Sequence, residues 1–234
     1  MNAKKLSFLL LILVAVACTN RSTSSEQDEM RHWNNVLQQI NALLLENKAR
    51  QTLDLAKQTL PEILESAEKN GTTDTLIYHA RKIFNACGNN YINTKQYKDG
   101  IDYMDSIGNH PLIREHCPHE LLSFKAGLNQ LYGNNPEAVR LAEDYLQLPV
   151  CTSANDFIRQ AEIISGVYMY SGNNLPKAIQ ILEKAIDVYR KGGNFPNMLR
   201  IMSRLGIYYH LSGEYEKAIA TNQEAIATYN DSIA

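Results

Sequence analysis

Apolar residues at Met30, Trp33, Leu37, Ile40 and Leu44 step by three and four positions, the spacing that gathers them on one face of a helix. Ser25, with Asp28 three residues on, has the form of a capping box that opens this helix. A partner helix is expected from about residue 48 to 66, kinked at Pro61 because proline removes a donor and crowds the preceding turn. Asn70-Gly71 closes the pair. The same alternation of helical periods and breakers continues along the chain: residues 73–93 against 95–107, 118–132 against 136–148, 154–171 against 175–190, and 195–212 against 214–229. Pro111 and Pro118 punctuate one connection, Asn135-Pro136 and Pro149 bracket another helix, and Gly192-Gly193-Asn194 ends a fourth unit. Strand-type alternation is absent, so the pattern predicts an all-α body of about five antiparallel hairpins, 29–66, 73–107, 118–148, 154–190 and 195–229, within a domain spanning 29–234.

These hairpins repeat. Gly206, Ala218 and Ala225 follow Gly166, Ala178 and Ala185 by one common interval, and Ala126 and Ala138 precede Gly166 and Ala178 by the same interval. The period is about 40 residues, within the range of units that stack as helical repeats. Gly88, Tyr91, Tyr97 and Gly100 reproduce the spacing of Gly206, Tyr209, Tyr215 and Ala218. Small residues on facing turns let two helices approach while tyrosines and aliphatics fill the seam. Gly88, Ala126, Gly166 and Gly206 are therefore expected at close helix contacts. Tyr91, Tyr97, Tyr209 and Tyr215 are expected in the seam, and Tyr170 and Tyr208 at the surface.

The sequences Leu205-Gly206-Ile207-Tyr208-Tyr209 and Ser212-Gly213-Glu214-Tyr215-Glu216-Lys217-Ala218, followed by Ala225, resemble the tetratricopeptide repeat. The unit is longer than that family's, and Asn222 stands at one of its aromatic sites. The resemblance implies a right-handed superhelical array, an α-solenoid, whose first helices line a concave face that grips a peptide or protein segment. On that face it places Lys82, Asn85 and Asn89 in the second hairpin, Glu120 and Gln130 in the third, Gln160 and Tyr170 in the fourth, and Arg200, Ser203 and His210 in the fifth. The Lys/Asn/Arg clamp that some members use for a terminal carboxylate is not reproduced, because Phe124 occupies one of its asparagine sites.

The N-terminus is of another kind. Lys4 and Lys5 precede a twelve-residue apolar run from Leu6 to Ala17, too short to span a bilayer and suited to a signal peptide over residues 1–17. Ala15-Val16-Ala17-Cys18 resembles the bacterial lipoprotein box, which implies cleavage before Cys18 and acylation of its thiol and amine, an anchor of two or three chains. The apolar-free segment 19–28 then forms a tether reaching at most about 35 Å. The body is expected in the bacterial cell envelope, anchored at the outer membrane and standing in the periplasm, with exposure at the cell surface as the alternative. Loss of Lys4 and Lys5 leaves 23 − 2 = 21 basic against 25 acidic residues, a net of −4 that gives no reason to expect nucleic-acid binding. Beyond Cys18 the cysteines are Cys87, Cys117 and Cys151, an odd count that argues against a disulfide framework.

Phosphate-cradling loops, zinc helices, nucleophile elbows and Cys-x-x-Cys pairs do not occur, and no cofactor is implied. His110, His116, Cys117 and His119 are weak metal-ligand candidates that would have to converge on one point. Asp74-Thr75, Asp105-Ser106 and Asp231-Ser232 look like the short O-glycosylation signal of Bacteroidetes. The leading expectation is a non-catalytic, lipid-anchored scaffold of the kind found in Bacteroidetes tetratricopeptide lipoproteins. The sensory portion of a histidine kinase or helix-turn-helix regulator and a metal-handling lipoprotein are the alternatives. Ile219, Ile226 and Tyr229 on the last helix suggest self-association. Cys18→Ala is expected to abolish metabolic labelling with a fatty-acid analogue and to leave the precursor uncleaved; unchanged labelling would end the lipoprotein reading.

Overall fold

The computed structural model describes residues 28–149, 154–192 and 195–233. The signal peptide, Cys18, Ser25 of the capping box, Cys151, Gly193 and Asn194 lie outside them. Among the described residues every regular element is a helix. They are α1 (28–45), α2 (Ala49–Asn70), α3 (Asp74–Asn93), α4 (Tyr97–Gly108), α5 (Pro111–His116), α6 (Pro118–Tyr132), α7 (Asn135–Gln147), α8 (Ala154–Tyr170), α9 (Leu175–Gly192), α10 (Phe195–Ser212) and α11 (Tyr215–Ile233). None is long and apolar enough to cross a membrane. The chain divides into two compact units, one through Ala86 and one from Cys87 onward, with the boundary inside α3.

In the first unit Trp33, Val36 and Ile40 of α1 are buried, as are Leu53, Leu60 and Ile63 of α2 and Leu76, Ala80 and Ile83 of α3. Buried His79 ties α3 to α1: its Nε2 lies 3.0 Å from Asn34 Oδ1, and its Nδ1 lies 2.7 Å from the Thr75 carbonyl. α2 runs continuously through Pro61. Pro61 and Lys57, one turn before it, are both exposed, so water can take the carbonyl that the proline leaves without a donor.

The second unit stacks hairpin on hairpin, with α4 against α6, α6 against α8, and α9 against α10. Its tight turns share one device. Gly133 and Gly213 adopt φ of +96° and +82°, conformations that cost glycine little. Gly133 N–H donates to the Gln130 carbonyl and Asn134 N–H to that of Asn129; Gly213 and Glu214 repeat the pattern on His210 and Tyr209. Each turn thus satisfies the carbonyls a helix end leaves over and reverses the chain. Asn173, midway between the two glycines and one period from each, also has positive φ, at +44°.

The connection between α4 and α6 is helical where the proline spacing suggested a loop. His110 caps α5 by accepting from the Leu112 N–H at 3.2 Å, and Pro111 and Pro118 occupy the first turns of α5 and α6, where a missing donor costs nothing. Leu112, Ile113 and Cys117 are buried, which anchors the short helix.

The expected close contacts are only partly in place. A Cβ on Gly88 would lie 2.4 Å from the ring of Phe124, and one on Gly206 would lie 2.5 Å from the Asn222 amide oxygen. Gly166, by contrast, would meet nothing nearer than Gln130 Oε1 at 3.9 Å, so its lack of a side chain is not required for packing. In the third hairpin the tight contact belongs to Gly127, where a Cβ would come within 2.6 Å of Ile163, one residue beyond the expected Ala126. The tyrosines also need correction: Tyr208 is buried at 2% exposure and Tyr215 is open at 56%. α10 packs against both α9 and α11, so neighbouring positions on it are covered, while Tyr215 sits on the first turn of α11.

Gly88→Ala is expected to destabilise the protein by about 1–3 kcal/mol, because the Phe124 ring is buried and has little room to give. Gly166→Ala is expected to be neutral or to stabilise by about 0.5–1 kcal/mol through helix propensity. Urea unfolding of the two variants checks the contrast, and equal losses would contradict the packing described.

Candidate functional site

The face expected to bind a partner is built from the first helix of each hairpin, and the structure sorts its residues into three kinds. In the first unit Lys82 is exposed, its Nζ 5.6 Å from the centre of the Tyr78 ring, and Asn85 is half-buried. In the second unit Asn89 and Gln130 are half-buried, while Tyr170, Ser203 and His210 are exposed. His210 lies edge-on to Tyr215 at 5.4 Å between ring centres.

Glu120 and Gln160 are only 2% exposed and do not line an open surface. These two and Arg200 share one register, each a single period from the next, that faces the preceding hairpin. Gln160 Oε1 accepts from the Tyr145 hydroxyl of α7 at 3.2 Å, and Arg200 Nη2 donates to Glu162 Oε2 of α8 at 2.6 Å. A short side chain is enclosed at this register. Arginine is long enough to turn back and still keep 51% of its side chain open.

Sequence reasoning missed the groups around that arginine. Glu162 is buried, with 11% of its side chain open, and it also has Arg204 beside it. Arg204 Nη2 is 3.9 Å from the Glu162 carboxylate, and its Nη1 donates to the Glu162 backbone carbonyl at 3.1 Å. Arg159, one turn before Glu162 on α8, completes the group. Crowding by surrounding atoms, and then the charge of Arg200, push the Arg159 guanidinium pKa down, while Glu162 pulls it back up. The available signal was the pair Arg200 and Arg204, four residues apart and hence on one face of α10.

The four metal-ligand candidates are not brought together. His110 serves as a helix cap, Cys117 is fully buried, and His119 Nε2 lies 2.7 Å from the Pro149 carbonyl with its ring edge-on to Tyr145. Among the described residues no three His, Cys, Asp or Glu side chains form a metal-holding group. Helix formation over α5 takes up part of the connection on which the four candidates lie.

At the last hairpin a groove of about 360 Å³ opens between α10 and α11, lined by Gly206, Ile207, His210, Tyr215, Ile219 and Asn222. Ile207, Ile219, Ile226 and Tyr229 are each more than half exposed. Their counterparts one period earlier include Val167, Ile179 and Ile186, all buried in the core of the second unit.

With this geometry in place, the comparisons with known proteins are consistent. The tetratricopeptide repeat family model matches residues 161–231, the last two hairpins. The fold is similar to that of the putative kinesin light chain TPR-like repeats of Podosopora anserina, at 12% identity and a TM-score of 0.54 over 85% of this chain and 95% of that one. BtubC from P. vanneervenii gives 12% identity and a TM-score of 0.58 over 78% and 74%. MamA from Desulfovibrio magneticus RS-1 gives 13% and 0.50 over 87% and 97%. No curated protein matches the sequence. The all-α hairpins therefore form a tetratricopeptide-like fold.

Proposed function

We propose that this chain is a non-catalytic, extracytoplasmic scaffold, held to the cell envelope through Cys18, that binds a protein or peptide segment along the first helices of its hairpins. The observation that carries the reading is the open polar surface of α8 and α10, where Tyr170, Ser203 and His210 are exposed on a rigid helical frame. A partner laid across such a frame gains an amphipathic aromatic contact at Tyr170 and hydrogen-bonding groups beside it, and the frame loses little ordering entropy. In the first unit, taken by itself, Lys82 and Asn85 are the candidate contacts.

The mature chain, immobilised and exposed to solubilised membranes of its source, is expected to retain a discrete set of proteins. A variant carrying Tyr170→Ala and Ser203→Arg is expected to lose them at least about tenfold while keeping its helical circular dichroism, since both sites are exposed. An identical set held by both proteins would refute binding on this face.

The last hairpin supports a second contact, with another copy of the chain. The side chains of Ile219, Ile226 and Tyr229 are 58%, 63% and 53% exposed and form a stripe along α11 at helical spacing. Covering such a stripe releases water from apolar surface, as α10 does for the counterparts on α9. Light scattering at micromolar concentration is expected to give a dimer for the wild type and a monomer for Ile219→Glu with Ile226→Glu. A wild-type monomer would count against self-association.

A further inference from the structure

The fold explains most side chains between α8 and α10, but not Arg159, Glu162, Arg200 and Arg204. Repeat symmetry supplies the test. Positions that hold the hairpins together keep their character from one period to the next, as Ala178 and Ala218 or Ala185 and Ala225 do. Glu162 does not: its counterparts are Leu122 and Met202. Arg200 and Arg204 replace Gln160 and Ile164, and Arg159 stands where the neighbouring hairpins have His119 and Leu199. An apolar residue at 162 would serve the packing as Met202 does at 1% exposure. A buried carboxylate with its ion pair is seldom more stabilising than an apolar residue of similar size, so the fold alone gives no reason for it.

The charge count gives it a role. Among the described residues the cluster holds three cations and one anion, an excess of +2, in a chain whose formal net charge is −2. Glu162 lies behind the arginines rather than in front of them: its side chain is 11% exposed, against 51% for Arg200 and 40% for Arg204. It fixes Arg200 through its carboxylate, while its backbone carbonyl fixes Arg204, and this ordering precedes any ligand. Each guanidinium carries five N–H donors in a planar fork, more than its contacts with Glu162 occupy. Arg159 lies near enough to feel the charges of both Arg200 and Glu162. The ligand chemistry is visible within the cluster itself, since Arg200 already holds a carboxylate at 2.6 Å.

We propose that Arg159, Arg200 and Arg204, ordered from behind by Glu162, bind carboxylate side chains of an acidic segment of a partner protein. This rests on the scaffold reading and specifies its partner at the junction of α8 and α10. Exposed Tyr170 at the far end of α8 supplies apolar contact for the same segment, and the arginine forks select carboxylates by paired hydrogen bonds.

Arg159 is the residue to change, because, unlike Arg200 and Arg204, it makes none of the contacts with Glu162 that join α8 to α10. The probe is a short fluorescein-labelled peptide of alternating Glu and Gly, followed by anisotropy on the intact mature chain. The wild type is expected to bind it with a salt-sensitive affinity, Arg159→Gln to weaken it about tenfold, and Arg159→Lys, which keeps the charge but not the fork, to fall between. A matching Lys and Gly peptide is expected not to bind. No binding of the Glu peptide, or equal binding by wild type and Arg159→Gln, would overturn the proposal. Displacement of the peptide by inorganic phosphate or a short oligonucleotide at equal charge concentration would also overturn it, by showing an unselective anion site. The two readings fail separately: a partner lost from the Tyr170 and Ser203 variant but kept by Arg159→Gln sinks the acidic segment alone. Capture indifferent to all these changes sinks the scaffold reading itself.

Discussion

Close approach of antiparallel helices is the constraint on which the second unit depends. Two helices can lie side by side at short distance only where one of them gives up side-chain volume, and the site of the concession fixes which residue opposite can be large. Gly88 beneath the Phe124 ring and Gly127 beneath Ile163 are two such matches. Phe124 has a packing cause: it fills the volume that Gly88 vacates. The turns complete the constraint, since a left-handed residue at Gly133, Asn173 and Gly213 reverses the chain once in every period and brings each second helix back onto its first.

A similar polar grouping recurs one period on, with its tyrosine shifted by one residue. Glu143 of α7 accepts from Lys177 of α9 at 2.6 Å, and Lys177 Nζ lies 4.6 Å from the centre of the Tyr168 ring. One period on, Glu183 accepts from the Tyr209 hydroxyl while Lys217 Nζ lies 5.3 Å from the Tyr209 ring. The Lys177 hydrogen bond is the main cause holding the Glu143 carboxyl below its ordinary pKa; burial is the main cause raising the Tyr209 phenol, with the Glu183 hydrogen bond next. Partly exposed pairs of this kind contribute modestly to stability.

The all-α class and the repeat period were legible because each rests on local spacing that a single sequence displays. What escaped the reading depended on neighbours across the fold. α5 forms because Leu112, Ile113 and Cys117 find a buried place beside α6, which the two prolines do not reveal. Tyr208 and Tyr215 exchange their expected roles because burial depends on which helices flank a position. Glu120 and Gln160 were assigned to an open face because their register was known but its direction was not; the register points back at the preceding hairpin, as the Gln160 to Tyr145 contact shows. Glu162 was invisible for a related reason: a lone glutamate in a helix usually reads as solvated surface, and only its burial between Arg200 and Arg204 distinguishes it.

In a repeat protein, the residues that obey the period and those that break it carry different information. Obedience is usually explained by packing: where Ala or an aliphatic recurs buried at the same position of successive units, the stack accounts for it and no further role follows. A break towards a larger apolar residue can still be packing, as Phe124 over Gly88 demonstrates. A break towards charge at a buried position has no such explanation, since desolvation opposes it and an apolar residue at the same register serves its neighbours. Glu162 is a break of this last kind, and it is matched across the helix interface by two arginines that also depart from the period. The exposed isoleucines of α11 represent the opposite case: they obey the period set by Ile179 and Ile186, and their side chains are apolar because the period is apolar there, while α10 supplies cover only one hairpin earlier. Surface chemistry on this chain is therefore best sought where the repeat is violated by charge, and apolar association where the repeat is kept but left uncovered.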